Sequence, residues 1–197
     1  NAVGQSQLRK PAPETIAGSR TRPVLKIQDG CNAACTYCIV PLARGPSRSL
    51  PPNDVIAAVR AVSEAGFHEI VLSGIHLGHY GRDLSPRTSL VELLSRIEQS
   101  TVLPRMRLSS LEPLEFTDEL IERMTESPRL CHHFHIPLQS GDDLILKKMR
   151  RPYTSDEFKQ LVFRIHDRIP DAAIGVDILV GFRGEIDEAL NQTYGCI

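Results

Sequence analysis

Aromatic residues make up only 5% of the chain, with no tryptophan at all. They form no series along which bases could stack, so a single-strand-binding surface built on aromatic platforms is not expected. An excess of either charge sign is missing too: 23 Lys and Arg face 24 Asp and Glu, a formal net charge of -1. No global positive field therefore announces nucleic acid, and any RNA contact has to come from a local patch. No apolar run approaches the roughly 20 residues that cross a bilayer, and the first residues carry no signal-peptide pattern. No membrane partner is expected, and a cytoplasmic location is. Cysteine is scarce, five in 197 residues, odd in number and clustered, which argues against a secreted disulfide framework and for a reducing compartment. What the chain does have is an apolar fraction of 41%, enough for a substantial core in one domain or in part of a larger one.

Three of the five cysteines stand in Cys31-Asn-Ala-Ala-Cys35-Thr-Tyr-Cys38, directly after the apolar run Val24 to Gln28. Thiolates this close in sequence can converge on one inorganic centre, and soft sulfur favours iron-sulfur clusters, zinc or copper(I) over hard cations. A four-iron cluster usually takes four cysteines, so three leave one iron open to a further ligand. Two other readings stand beside this one. Cys35-Thr-Tyr-Cys38 alone would suit a redox pair, and the trio with His76 or His135 would suit a structural Cys3His zinc site.

The rest of the chain supplies context. Residues 1–22 combine prolines with small and polar residues and no sustained periodicity, and read as a linker. The first residue is asparagine, so a chain that opens inside a linker is expected to be an excised piece, N-terminal processing being the alternative. From Val24 onward short apolar runs alternate with amphipathic stretches, which predicts repeated βα units and a parallel sheet. Strands are expected at Val24 to Gln28, Glu69 to Ser73, Arg105 to Ser109, His132 to Ile136 and Ala173 to Val180. Helices are expected from Asp54 to Glu64 with Asn53 as cap, after Ser89 with Glu92 completing a capping box, from about Thr117, over Asp143 to Met149, and after Thr154 with Glu157.

Polar clusters recur where strands end: the cysteine loop after the first, Ser73, Gly74 and His76 after the second, Ser110 and Glu112 after the third, and Pro137 to Gly141 after the fourth. Asp177 is expected within the fifth. In barrels of βα units the working residues occupy the C-terminal strand ends, so the cysteine loop has the setting that a catalytic iron-sulfur site demands.

The motif Cys31-x3-Cys35-x2-Cys38 resembles the signature of the radical S-adenosylmethionine (SAM) enzymes. Ile27-Gln-Asp-Gly-Cys31, Ala43-Arg-Gly45, Leu108-Ser-Ser-Leu-Glu-Pro113, His135-Ile-Pro-Leu-Gln-Ser-Gly141, Met149-Arg-Arg-Pro-Tyr-Thr154 and Asp177-Ile-Leu-Val-Gly-Phe182 resemble the methylthiotransferases within that superfamily. Where the family commonly has proline and threonine, this chain has Arg183 and Ile186. The stretch Ile75-His-Leu-Gly-His-Tyr-Gly-Arg-Asp-Leu84 looks most like the branch acting on N6-threonylcarbamoyladenosine beside the tRNA anticodon. The isopentenyladenosine branch and the enzymes acting on a ribosomal protein are the rivals.

The resemblance implies an α/β fold, an incomplete radical SAM (β/α)6-type partial barrel with parallel strands over 23–197, truncated at its C-terminal end. An edge strand left unpaired there would be an aggregation site. It implies that Cys31, Cys35 and Cys38 bind a 4Fe-4S cluster, that Tyr37 lies beside the SAM adenine, and that Ser73 and Gly74 meet the SAM amino group. Glu112, Gln139 and Asp177 are further candidates for SAM or substrate. A second 4Fe-4S cluster is implied only for a full-length relative, since Cys131 and Cys196 stand far from any third thiol in sequence. Implied partners are tRNA and a flavodoxin-type electron donor, for a monomeric enzyme. His132, His133 and His135 are expected to be structural. A different class, a non-catalytic zinc or RNA-binding module, would use Arg44, Arg48, Lys147, Lys148, Arg150 and Arg151 on phosphates.

Overall fold

The computed structural model describes residues 21–197, so nearly all of the linker expected over 1–22 lies outside the described residues. The sheet begins with β1 (Val24–Asp29). Its side chains alternate: Leu25 and Ile27 are buried while Val24 and Lys26 are exposed, the period of two that gives a strand its two faces. β2 (Arg48–Ser49) lies antiparallel on the outer edge of β1, and β3 (Glu69–Gly74) pairs in parallel on its other side, Leu25 opposite Leu72. β4 (Arg105–Leu108) follows in parallel, with Ile70 opposite Met106. A single parallel bridge from Met106 to Leu130 leads on to β5 (His133–His135), which pairs in parallel with β6 (Ala173–Gly175).

Seven α-helices are described. The shortest, α1 (Val40–Arg44), closes the cysteine loop. α2 (Pro52–Glu64), α3 (Leu90–Ser100), α4 (Asp118–Glu126) and α6 (Ser155–Arg168) turn apolar stripes onto the sheet. Val55, Val59, Leu93, Leu94, Ile97, Ile121, Phe158 and Ile165 from these helices join Leu25, Ile27, Ile70, Leu72, Met106 and Phe134 of the strands in one core. α5 (Asp143–Lys148) and α7 (Asp187–Tyr194) form a small second cluster around Ile145, Met149 and Ala189. The opposite face of the sheet carries polar groups, among them Lys26, Glu69, Arg107, His133 and His135. The mainly parallel α/β architecture is as expected.

Several local expectations need correction. β2 is antiparallel and was not foreseen: two residues show no alternation, and its position comes from Asp83, whose carboxylate accepts both the amide (2.8 Å) and the hydroxyl (2.7 Å) of Ser49. β6 ends at Gly175 instead of reaching Val180. The ladder breaks and resumes at one bridge between Gln139 and Ile178, leaving Asp177 in the break beyond the strand. Asn53 does not cap α2. That helix starts on Pro52, whose fixed φ and missing N–H suit a first helical residue, and Asn53 instead accepts from Arg96 at 2.7 Å. Ser89 accepts the Glu92 amide as expected, but the Glu92 carboxylate takes the Thr88 hydroxyl, so the box is half formed. At Thr154 both halves are present. The helices α1 and α7 are also additions; five residues are too few for a period, and α7 buries only Ala189 and Thr193.

Candidate active site

The chain leaves β1 through Gly30, whose φ of 71° lies in the left-handed region where a side chain is costly. A Cβ here would also meet the Pro46 carbonyl oxygen at 2.1 Å. The sharp exit is fastened by Gln28, which is fully buried. Its amide nitrogen donates to the Gly30 carbonyl (2.8 Å) and to Ser47 Oγ (2.9 Å), and its amide oxygen accepts from the His76 N–H (2.8 Å). One side chain thus ties the cysteine loop to the loop after β3, which β3 itself holds beside β1.

From this seat Cys31, Cys35 and Cys38 face a cavity of about 650 Å³ at the C-terminal ends of the strands. Ile75, His76 and His79 enter it from the loop after β3, Glu112 and Glu115 from the loop after β4, Gln139 from beyond β5, and Arg150, Arg151 and Tyr153 from the segment after α5. Among the described residues other than glycine, only Gln139 and Arg150 have positive φ, 67° and 59°. Both line this cavity, where backbone strain commonly accompanies function.

The thiols carry donors. The Ala33 amide lies 3.3 Å from the Cys31 sulfur, His76 Nδ1 lies 3.3 Å from the same atom, and an Arg151 nitrogen lies 3.3 Å from the Cys35 sulfur. Burial pushes the Cys31 thiol up, and neighbouring Cys35, Cys38 and Glu112 push it further, against the pull of the Ala33 amide. Burial likewise takes the Tyr37 hydroxyl up to about 12, so Tyr37 stays a neutral donor at any ordinary pH. Arg151 is paired with Glu112 and stands over the Tyr153 ring at 5.2 Å. Tyr153 in turn donates to the carbonyls of Pro137 and Leu138. Burial raises the Glu112 carboxyl despite that partner.

Of the expected site residues, Cys31, Cys35, Cys38, Tyr37, Glu112 and Gln139 all line the cavity. Ser73, Gly74 and Asp177 do not. Gly74 is packed against Gln28, whose Oε1 a Cβ would meet at 2.8 Å. Asp177 pairs with His135 at 3.1 Å, beyond β6. His132 pairs with Asp171 at 3.0 Å, so both histidines have structural partners. Arg151, grouped from sequence with phosphate-contacting cations, is withdrawn from solvent and aimed at Glu112 and Cys35. Arg48 pairs with buried Asp29 at 3.3 Å. Gln28, Glu115, His79 and Tyr153 were not singled out from sequence. The spacing of His76 and His79, three apart like Glu112 and Glu115, was the available signal for two of them.

The donor set can be held against the demands of zinc and of a cluster. Tetrahedral zinc with bonds of about 2.3 Å brings its thiolates to roughly 3.8 Å from one another. Among the described residues, three ligand atoms mutually within 4.8 Å are supplied by His76, His79 and Glu115, and not by the three cysteines. The three sulfurs do not all meet within 4.8 Å, and a multi-iron cluster, in which each thiolate takes a different iron, asks for no such closeness.

Known proteins resemble the chain in sequence and in fold. The chain is 43% identical over 179 residues to the threonylcarbamoyladenosine tRNA methylthiotransferase of Bacillus subtilis, 90% of this chain and 40% of that protein. It is 40% identical over 175 residues to the tRNA-2-methylthio-N(6)-dimethylallyladenosine synthase of Clostridium tetani, covering 39% of it. The chain thus spans about two fifths of the length of these relatives. Its fold resembles the radical SAM methyltransferase TsrM of Kitasatospora setae, with a TM-score of 0.68 at 16% identity over 87% of this chain and 33% of that one. It also resembles the cobalamin-dependent radical SAM enzyme OxsB, with a TM-score of 0.70 at 12% identity over 88% of this chain and 26% of that one. The profile of the Radical SAM superfamily matches residues 25–197, which takes in all the strands described above but for Val24 at the start of β1, and the chain belongs to that superfamily.

Proposed function

We propose that this chain is the radical SAM core of a tRNA methylthiotransferase that acts on N6-threonylcarbamoyladenosine. The observation that carries the reading is that the three thiols line a single cavity at the strand ends. Cys31, Cys35 and Cys38 would hold a 4Fe-4S cluster, leaving one iron open for SAM. When bound, the cluster and SAM together supply the one-electron chemistry that begins the reaction.

The chain's own residues prepare that chemistry. The Ala33 amide and the Arg151 guanidinium sit within reach of the sulfurs, and hydrogen bonds to cluster sulfurs tune potential. Glu112 neutralises Arg151, so the guanidinium is held in place without adding a free charge. Tyr37 and Gln139 offer neutral polar groups to SAM or substrate.

The named relatives support tRNA as partner, and the stretch from Ile75 to Leu84 supports the threonylcarbamoyl substrate. The dimethylallyladenosine reading stays second because relatives of that name are nearly as similar. A monomer in the cytoplasm, served by a flavodoxin-type reductant, completes the reading; no described helix is long and apolar enough to cross a membrane.

Anaerobic reconstitution followed by electron paramagnetic resonance tests it. A reduced-cluster signal that changes on adding SAM is expected. No iron signal, or zinc near one equivalent with no iron, would sink the proposal. The resemblance implies a second cluster that these five cysteines do not supply, so these 197 residues alone are expected to cleave SAM without forming methylthioadenosine.

A further inference from the structure

The pair His76-Leu-Gly-His79 has no part in holding the three-cysteine cluster, yet the fold brings both rings together on the cavity wall. They stack at 3.7 Å between centroids with planes 16° apart, and both present Nε2 to one carboxylate oxygen. Glu115 Oε1 lies 2.6 Å from His76 Nε2 and 3.6 Å from His79 Nε2. Despite that proximity, this buried oxygen has no hydrogen bond of acceptable geometry. An ordinary carboxylate–imidazole pair would align, because a misaligned buried acceptor forfeits its bond. The ring of His79 has no hydrogen-bond partner among the described residues.

The remaining atoms of the group are anchored from behind. Glu115 Oε2 accepts the Glu112 amide at 3.1 Å, and His76 Nδ1 faces the Cys31 sulfur at 3.3 Å. Such second contacts orient metal ligands and fix the tautomer that exposes Nε2. The three free atoms lie within 4.8 Å of one another, and the two nitrogen–oxygen separations, 2.6 and 3.6 Å, straddle the roughly 3.4 Å that bonds of about 2.0–2.1 Å impose around a tetrahedral ion.

We propose that His76, His79 and Glu115 form a mononuclear site for a divalent transition ion, zinc first, separate from the iron held by the cysteines. Two imidazoles and one carboxylate select a borderline ion over calcium or magnesium. Three protein ligands leave a fourth position open towards the cavity, for water or an oxygen of the substrate.

The test uses the whole chain after anaerobic iron loading, so that the thiols are occupied. Zinc is added, excess is removed by gel filtration, and iron and zinc are measured together. About one zinc per chain is expected on top of the iron. His79→Asn and Glu115→Gln should each weaken zinc binding at least about tenfold, with iron content unchanged. Zinc X-ray absorption on the unaltered protein gives a readout independent of variant folding, and a nitrogen and oxygen shell without sulfur is expected. Full iron with no zinc, zinc retained in both variants, or sulfur in the zinc shell would each overturn the site. Failure of the cluster reading is distinguishable: zinc lost with His79→Asn while iron never loads supports this site and removes the other.

Discussion

The hydroxyl of Thr36, in the middle of the cysteine loop, donates to the carbonyl oxygen of Lys148 at 3.0 Å. The Thr36 amide donates to the next carbonyl, Met149, at 3.2 Å. The end of α5 therefore sets where Cys35 and Cys38 stand, although it lies far along the chain.

Thr36→Val removes the hydroxyl bond and leaves the backbone one. A net hydrogen bond is worth about 1 kcal/mol, or roughly a fivefold change in an equilibrium. Iron retained against a competing chelator should fall by about that factor, and Thr36→Ser should restore it. Unchanged retention would mean that the loop is fixed by other contacts.

Two glycines with similar dihedrals should respond differently. Gly66 follows α2 with φ of 84° and open space around it, so Gly66→Ala should cost about 1 kcal/mol in a urea melt. Gly30 has φ of 71° and a carbonyl oxygen 2.1 Å from the position of its missing Cβ. Gly30→Ala should cost at least about 3 kcal/mol, since the backbone of Pro46 cannot swing aside. Equal losses would contradict the close approach.

Stability should fall on the acid side in a way traceable to Glu69. Burial pushes this carboxyl up, but hydrogen bonds and charge from Arg107 and Arg105 outweigh burial and hold it below its ordinary value of 4.5. A native value below the unfolded one means a contribution that is complete above 4.5 and lost as pH falls through the native value. Glu69→Gln should lower stability by roughly 1 kcal/mol at neutral pH and converge on the parent chain in strong acid. Parallel curves down to the acid limit would remove Glu69 from the account.

Helix starts offer a fourth check. Thr154→Ala breaks a complete capping box and should cost about 1 kcal/mol. Asn53→Ala, at a position that sequence pattern marks as a cap, should stay within about 0.5 kcal/mol. The reverse order, read from denaturant midpoints, would restore the cap that the structure denies.

The contrast between those residues shows what was legible. Strands such as Glu69–Gly74 and helices such as Leu90–Ser100 repeat their apolar period long enough to be read; the strand's ends fell within a residue and the helix starts directly after Ser89. β2 and α1 carry no period because they are too short, and their positions depend on distant partners such as Asp83. The convergence of the three cysteines on one cavity was legible because their spacing keeps them in one short loop after β1. The roles of Gln28 and Arg151 were not, because each arises from contacts across the fold: an amide reaching the loop after β3, and a guanidinium lying between Glu112 and Cys35. Asp177 was misplaced for the converse reason. The apolar residues on either side of Asp177 hid a break in the ladder after Gly175.

The Gln28 side chain makes two loops share one latch. Its oxygen shields the His76 amide while its nitrogen grips the Gly30 carbonyl, so neither loop can lift without rotating the same group. Local opening here is expected to be cooperative: hydrogen exchange at the His76 amide should report the breathing of the cysteine loop as well as that of its own.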